Sequence, residues 1–160
     1  MTLRPARGSD ATDITNIWNA VIRSTSITFT TDEKSAEDVA TLIAAADACC
    51  VTEALGKVTG FALIAPFRAG PGYRKTKEVT VYLDPAAQGA GQGAALLDAM
   101  CDQAKAQGVT RIVAGIGGEN PGAVGFFTAQ GFTEVGRLPG VGFKFDREMD
   151  LILMMRQLGQ

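Results

Sequence analysis

The chain has 160 residues, enough for one domain with a properly buried core. Its 46% hydrophobic content, 20% charged content and net charge of −2 are those of an ordinary globular protein, with no electrostatic footprint for nucleic acid or an anionic membrane. Histidine is absent, which removes the commonest general base, the Ser-His and Cys-His pairs and most zinc sites, so no metal is expected.

The opening "TLRPA" reads as a short strand. Ser9 is a plausible N-cap, and "DITNIWNAVI" then puts Ile14, Ile17, Trp18, Val21 and Ile22 on one helical face. The segment "STSITFTTDEK" is a polar, β-branched loop. Ser35 and Asp38 have capping-box spacing and open a second helix, "AEDVATLIAAAD". Two strands, "CCVTEA" and "KVTGFALIAPF", form an antiparallel hairpin around Leu55-Gly56.

After the Gly/Pro-rich loop "RAGPGYRK", the alternating "TKEVTVYLD" reads as a central strand. The glycine-rich "PAAQGAGQG" leads into the helix "AALLDAMCDQAKAQG", which Gly108 closes. A further strand, "RIVAGIG", precedes a short helix with Asn120 as N-cap, Pro121 at the first position and Gly131 beyond its end. The last third reads as two strands around a loop. The order β-α-α-β-β-β-α-β-α-β-β implies one α/β domain over residues 1–160, a mixed sheet flanked by helices.

Three cysteines, with Cys49 and Cys50 adjacent, match neither a zinc spacing nor a disulfide framework. They read as small buried residues in a reduced cytosol. The N-terminus has no apolar signal region, and no apolar run approaches the ~20 residues needed to span a bilayer. A cytoplasmic protein is expected.

The glycine turn at residues 88–94 is the chemical signal. A strand, a glycine-rich turn and a helix start bring unpaired backbone N–H groups together with the positive end of the helix, which suits phosphate. The same pattern also serves as a plain tight turn. A P-loop is excluded because Gly93 is followed by Ala94 and Ala95, not Lys-Ser/Thr. A Rossmann fingerprint is a poor match, since the glycine spacing is wrong and the turn lies past mid-chain after a hairpin.

The spacing Gln88-x-x-Gly91-x-Gly93, after "VTVYL", resembles the acetyl-CoA signature of the GNAT N-acetyltransferases. "NPGAVGFFTAQGF" resembles the second motif of that family. "RKTKEVTVYLD" and "VGFKFDREMDLILMMRQL" resemble the branch acting on phosphinothricin and methionine sulfoximine. The likeness runs from Leu3 to about Leu158.

The resemblance implies a GNAT-type, mostly antiparallel sheet, splayed to admit acetyl-CoA. Val81, Tyr82 and Leu83 would offer backbone groups to the pantetheine arm. Gln88, Gly89, Ala90, Gly91, Gln92, Gly93 and Ala94 would cradle the pyrophosphate, and Asn120 would sit near the thioester. Glu78 is the candidate base or holder of the substrate ammonium; taken alone it also fits a solvated strand face. Arg68 and Arg74 would engage an amino-acid acceptor, while Thr80 and Phe29 are candidates for its pocket wall. Phe29 fits a core position equally well.

Where the family carries a Tyr or His donor, this chain has Phe127, which cannot protonate a leaving thiolate. Ala123 and Asp146-Arg147-Glu148 also depart from the branch, and Lys144 matches it. The expected activity is acetyl transfer to the amine of a small amino-acid-like molecule by direct attack. The alternatives are a non-catalytic acyl-CoA sensor and an acetyltransferase for protein or peptide amines. The resemblance further implies a homodimer, to which "DLILMMRQL" would contribute unless it is a core strand.

Overall fold

The computed structural model describes residues 1–159. Its elements run β1 (Thr2–Pro5), α1 (Ala11–Ser24), α2 (Ala36–Ala45), β2 (Ala48–Ala54), β3 (Lys57–Pro66), β4 (Thr76–Leu83), α3 (Gln92–Ala106), β5 (Arg111–Gly117), α4 (Pro121–Ala129), β6 (Thr133–Lys144) and β7 (Arg147–Gln157). Short 3-10 turns at Gly8–Asp10, Pro71–Tyr73 and Pro85–Ala87 join some of them.

Local chemistry accounts for most boundaries. Ser35 Oγ accepts the Asp38 N–H at 3.1 Å and starts α2, and Asn120 Oδ1 accepts the Ala123 N–H at 3.1 Å and starts α4. Ser9 does not cap α1. That helix follows directly on the 3-10 turn ending at Asp10, whose carboxylate is committed elsewhere. Asp10 accepts two bonds from Arg4 at 2.8 Å each and the Arg7 N–H at 2.7 Å. The β2–β3 hairpin turns at Leu55-Gly56 as expected. The β6–β7 loop is only Phe145-Asp146, both left-handed (φ 55° and 58°), the twist a two-residue hairpin demands.

The seven strands lie in the order β1-β2-β3-β4-β5-β7-β6. Every neighbouring pair is antiparallel except β4–β5. Along β4 the side chains alternate, so each face of the sheet receives its own core. Val79, Val81 and Leu83 join Leu96, Leu97 and Met100 of α3 on one face. Tyr82 joins Ile14 and Ile17 of α1, Val39 of α2 and Phe61 on the other, where Trp18, Phe61 and Tyr82 meet in tilted and edge-on contacts with ring centroids 5.2–6.0 Å apart. Leu96, Leu97 and Met100 are fully buried, each side chain contributing about 2 kcal/mol of apolar burial.

The apolar C-terminal run is β7, an inner strand between β5 and β6, with Ile152 and Met154 buried in the core. It is a core strand on one face, while Leu151, Leu153 and Met155 on the other are half-buried. Half of the ten large exposed apolar side chains among the described residues cluster on and just beyond the edge strand β6, at Val135, Leu138, Val141, Phe143 and Phe145.

Candidate active site

The sheet parts between two of its strands, and the site is built there. β4 and β5 pair only over Thr76–Glu78 and Arg111–Val113, and then separate. Each strand stays bonded on its outer side, β4 to β3 and β5 to β7, so the chain cannot close the gap. The Asp84 N–H bonds Thr59 O at 2.9 Å with Gly60 opposite Leu83, which makes Leu83 and Val81 the residues whose backbone groups point away from β3. They face the gap unpaired.

On the opposite wall, the Gly118 N–H bonds Asp150 O with Gly117 opposite Leu151, so Gly115 and Gly117 face the gap from β5. The Gly117 carbonyl is taken by the Asn120 N–H, while its own N–H points into the gap. The resulting cleft has a volume of about 1070 Å³ and opens toward both faces of the sheet. An extended ligand can add to such an edge as a further strand does.

Tyr82 differs from the expectation. Alternation turns its backbone toward Phe61 of β3, and its ring packs among Trp18 and Phe61. It walls the cleft with its side chain, whereas Val81 and Leu83 supply the free backbone groups.

On the α1 side of the gap stand Glu78, Thr80 and Tyr82, with Thr28 and Phe29 from the α1–α2 loop. Glu78 sits at the vertex, in the last paired position. Its side chain lines the cleft and is open to solvent, as the solvated strand face allows, with protein packed against part of it. This partial desolvation raises its carboxyl pKa, and the nearby Arg68 opposes the rise. A carboxyl whose pKa is raised and which opens to a cleft is a better proton acceptor than an ordinary surface glutamate.

Arg68 stacks on Phe67 at 5.1 Å and is exposed, and Arg74 is exposed just after the Pro71–Tyr73 turn. Neither lines the cleft. Among the described residues the cleft-lining cation is Lys34, its Nζ 4.5 Å from the Trp18 ring centroid. The Asn19 carboxamide fixes the Lys34 backbone, accepting its N–H and donating to its carbonyl at 2.8 Å each. A lone lysine in a polar loop carries no sequence signature. Trp18 was legible as an apolar helix position but not as a wall of the cleft.

On the α3 side lies the glycine turn. Gly89 and Gly91 have φ of +83° and +78°, and a Cβ on either would meet no protein atom, because the turn opens on free space. Gly91 is the N-cap of α3 with no side-chain cap bond, which leaves the first-turn N–H groups exposed to whatever fills that space. This donor set fits a pyrophosphate.

Within the turn the residues divide. Gln88 and Gly89 line the cleft, Ala90 is exposed, and Ala94 is the third residue of α3, its N–H among the first-turn donors. The Gln92 side chain is buried and accepts a 2.7 Å bond from Thr59, so only its backbone faces the ligand space. Gly93 fits against Phe126, where a Cβ would stand 3.3 Å from the ring. Asn120 lines the cleft with its carbonyl oxygen already used for capping, which leaves the amide N–H groups to act.

Phe127 lies in the core, its ring against Phe126 and Phe132 at 5.1 and 5.0 Å, and offers the cleft only hydrocarbon. The cysteines provide no thiolate nucleophile. Burial raises all three thiols, Cys49 to about 12.

Comparison with known proteins agrees with this geometry. The sequence profile described as Acetyltransferase (GNAT) family matches residues 14–132. The chain is 37% identical to an L-methionine sulfoximine/L-methionine sulfone acetyltransferase of Salmonella typhimurium, over all of this chain and 96% of that protein. A phosphinothricin acetyltransferase of Sinorhizobium meliloti, solved with acetyl-CoA, superposes with a TM-score of 0.94 at 31% identity, covering 99% of this chain and 88% of the other. A Brucella melitensis structure described as a ribosomal-protein-alanine N-acetyltransferase superposes with a TM-score of 0.95 at 30% identity, covering 99% and 100%. With a split β4–β5 pair, a phosphate-type turn at the start of α3 and these full-length likenesses, the chain belongs to the acetyltransferase (GNAT) family.

Proposed function

We propose that residues 1–160 act as one catalytic unit that moves acetyl from acetyl-CoA to the amine of a small amino-acid-type acceptor. The observation that carries this reading is the parted β4–β5 pair, with Glu78 at its vertex. Acetyl-CoA supplies an activated thioester. Val81 and Leu83 would hold the pantetheine arm, and a backbone N–H of that strand would meet the developing oxyanion. The donors of residues 89–94 would take the pyrophosphate, and the Asn120 amide would hold the arm near the thioester.

From the other face, Glu78 would orient the acceptor ammonium and take its proton, directly or through water. Thr80 and Phe29 would wall the acceptor, and Lys34 would meet an acceptor carboxylate inside the cleft. Arg68 and Arg74 would attract it at the mouth. Phe127 leaves the thiolate to depart without a protein donor, which a thiol pKa of ~8.5 permits. The amino-acid substrates named for the S. typhimurium and S. meliloti relatives support this acceptor class.

A protein-amine acceptor is the second reading, favoured by the B. melitensis likeness. Thiol release from acetyl-CoA, measured across free amino acids, their sulfoximine and phosphinate analogues and alanine-terminated peptides, separates the two. Turnover on the free molecules supports the first reading. Turnover on peptides alone would replace it.

A cytoplasmic, non-nucleic-acid-binding protein fits the acidic balance, and no described helix is long and apolar enough to cross a membrane. The apolar side chains of edge strand β6 support a homodimer.

A further inference from the structure

Lys144 is almost fully buried, 2% exposed, at the end of β6. Its Nζ donates to three backbone carbonyls: Ile22 O at 2.6 Å, Thr25 O at 2.6 Å and Thr28 O at 2.9 Å. An ammonium has three protons, and all three are used. Burial pulls the Lys144 pKa below the usual lysine value, and the three carbonyls are what favour its charged form.

The acceptors are informative. Ile22 O lies in the last turn of α1, where carbonyls lack helical partners. Thr25 and Thr28 belong to the loop that lines the α1 side of the cleft. One side chain therefore ties the end of α1 to two successive bends of that loop.

Two residues earlier, Gly142 is buried under Phe29, and a Cβ there would overlap several atoms of the Phe29 ring. From the opposite wall, a Cβ on Gly117 would stand 2.6 Å from Ser26 O and 3.4 Å from the Phe29 ring. Loop 25–29 is thus held between β5 and the end of β6. Phe29 lies in the space two glycines leave, and Lys144 fixes the backbone on either side of it.

We propose that Lys144 and Gly142 are positioning residues for the acceptor: through loop 25–29 they set where Phe29 and Thr28 stand, and so the shape of the acceptor side of the cleft. Their bonds and close approaches run to α1 and loop 25–29, and that loop meets β4 through Thr28 beside the Tyr82 side chain rather than at the glycine turn, so the acetyl-CoA side should feel them little. The inference rests on the acetyl-transfer reading for its kinetic readout and on the geometry alone for its structural one.

The test uses full-length wild type, Lys144→Met and Gly142→Ala. Each is measured by steady-state thiol release with the best acceptor, by calorimetric acetyl-CoA titration and by amide hydrogen exchange. Each variant should raise the acceptor KM about tenfold, with kcat changed much less and acetyl-CoA affinity unchanged. Exchange should quicken at residues 25–29 and not across the sheet.

Gly142→Ala keeps the three Lys144 bonds and displaces only Phe29, so it decides the matter if Lys144→Met does not fold. A fall in kcat with unchanged KM and uniformly faster exchange would mean a merely structural role and overturn the proposal. So would wild-type kinetics in Gly142→Ala. If wild type turns over no amine, the acetyl-transfer reading fails, and exchange at residues 25–29 still decides whether Lys144 and Gly142 hold the loop.

Discussion

Glu78 pairs with Val113 in the final position of the parallel β4–β5 ladder, and beyond that pair the two strands share no register. The one acidic side chain lining the cleft among the described residues therefore stands where the backbone edges of the gap begin. A proton acceptor at the vertex lies within reach of whatever the two edges hold.

This position predicts the behaviour of Glu78→Gln. Turnover should fall about 10²-fold or more, while calorimetric acetyl-CoA affinity stays at the wild-type value. Unchanged turnover would remove Glu78 from the chemistry.

The pH profile gives a separate check. Glu78 must be ionised to accept a proton, and its pKa is raised, so kcat/KM should fall on acidification at a pH above the ordinary glutamate range. Arg68 opposes the rise, so Arg68→Met should move that acid limb to still higher pH. A limb unmoved by Arg68→Met would show that the two charges do not communicate.

The glycine turn predicts a loss of different kind. Gly91→Val places a side chain in open space at a left-handed φ, and acetyl-CoA affinity should drop at least about tenfold. Gly56 has nearly the same φ, +75°, in the β2–β3 turn, and it too faces open space. Gly56→Val should strain the backbone equally and leave acetyl-CoA binding intact. Equal effects on binding would mean that backbone strain, not the phosphate space, explains the loss.

Phe127→Tyr adds the hydroxyl the family commonly carries. The ring is packed against Phe126 and Phe132, and thiolate departure needs little help, so kcat should stay within about threefold of wild type. A gain of an order of magnitude would show that the missing donor limits the enzyme.

Asp10 carries a stability prediction. Its carboxylate is buried and bonded twice to Arg4, which holds its pKa below the usual value. A carboxyl with a depressed folded pKa stabilises above its unfolded pKa, and that contribution is lost as pH falls through the folded value. Asp10→Ala should cost roughly 1–3 kcal/mol in denaturant unfolding at neutral pH, because Arg4 loses its bidentate partner but keeps Glu53 at 2.7 Å, and the difference from wild type should shrink in acid.

Much of this was legible from local chemistry. Ser35, Asn120 and the Leu55-Gly56 turn act through residues three or fewer apart, so spacing alone locates them. Ser9 failed as a cap because Arg4 organises the start of α1 through Asp10, a contact from another element. The Phe145-Asp146 turn was hidden because neither residue is the glycine that usually marks left-handed backbone.

The site divides in the same way. The glycine turn is read from its sequence, since backbone donors need only small residues in a row. Which of Val81, Tyr82 and Leu83 has free backbone groups depends on the register with β3, which no single segment encodes. Gln92 turns inward to Thr59 and Lys34 turns into the cleft for the same reason: their partners lie on other elements.

The central claim is acetyl transfer across the β4–β5 gap to a small amine, and product analysis tests it most directly. Purified protein would be incubated with acetyl-CoA and an amino-acid panel that includes methionine sulfoximine and phosphinothricin, with free thiol and N-acetylated product quantified together. The account predicts at least one acceptor whose N-acetyl product appears in a one-to-one ratio with released thiol, and loss of both in Glu78→Gln. Acetyl-CoA binding with no thiol release on any amine would contradict it.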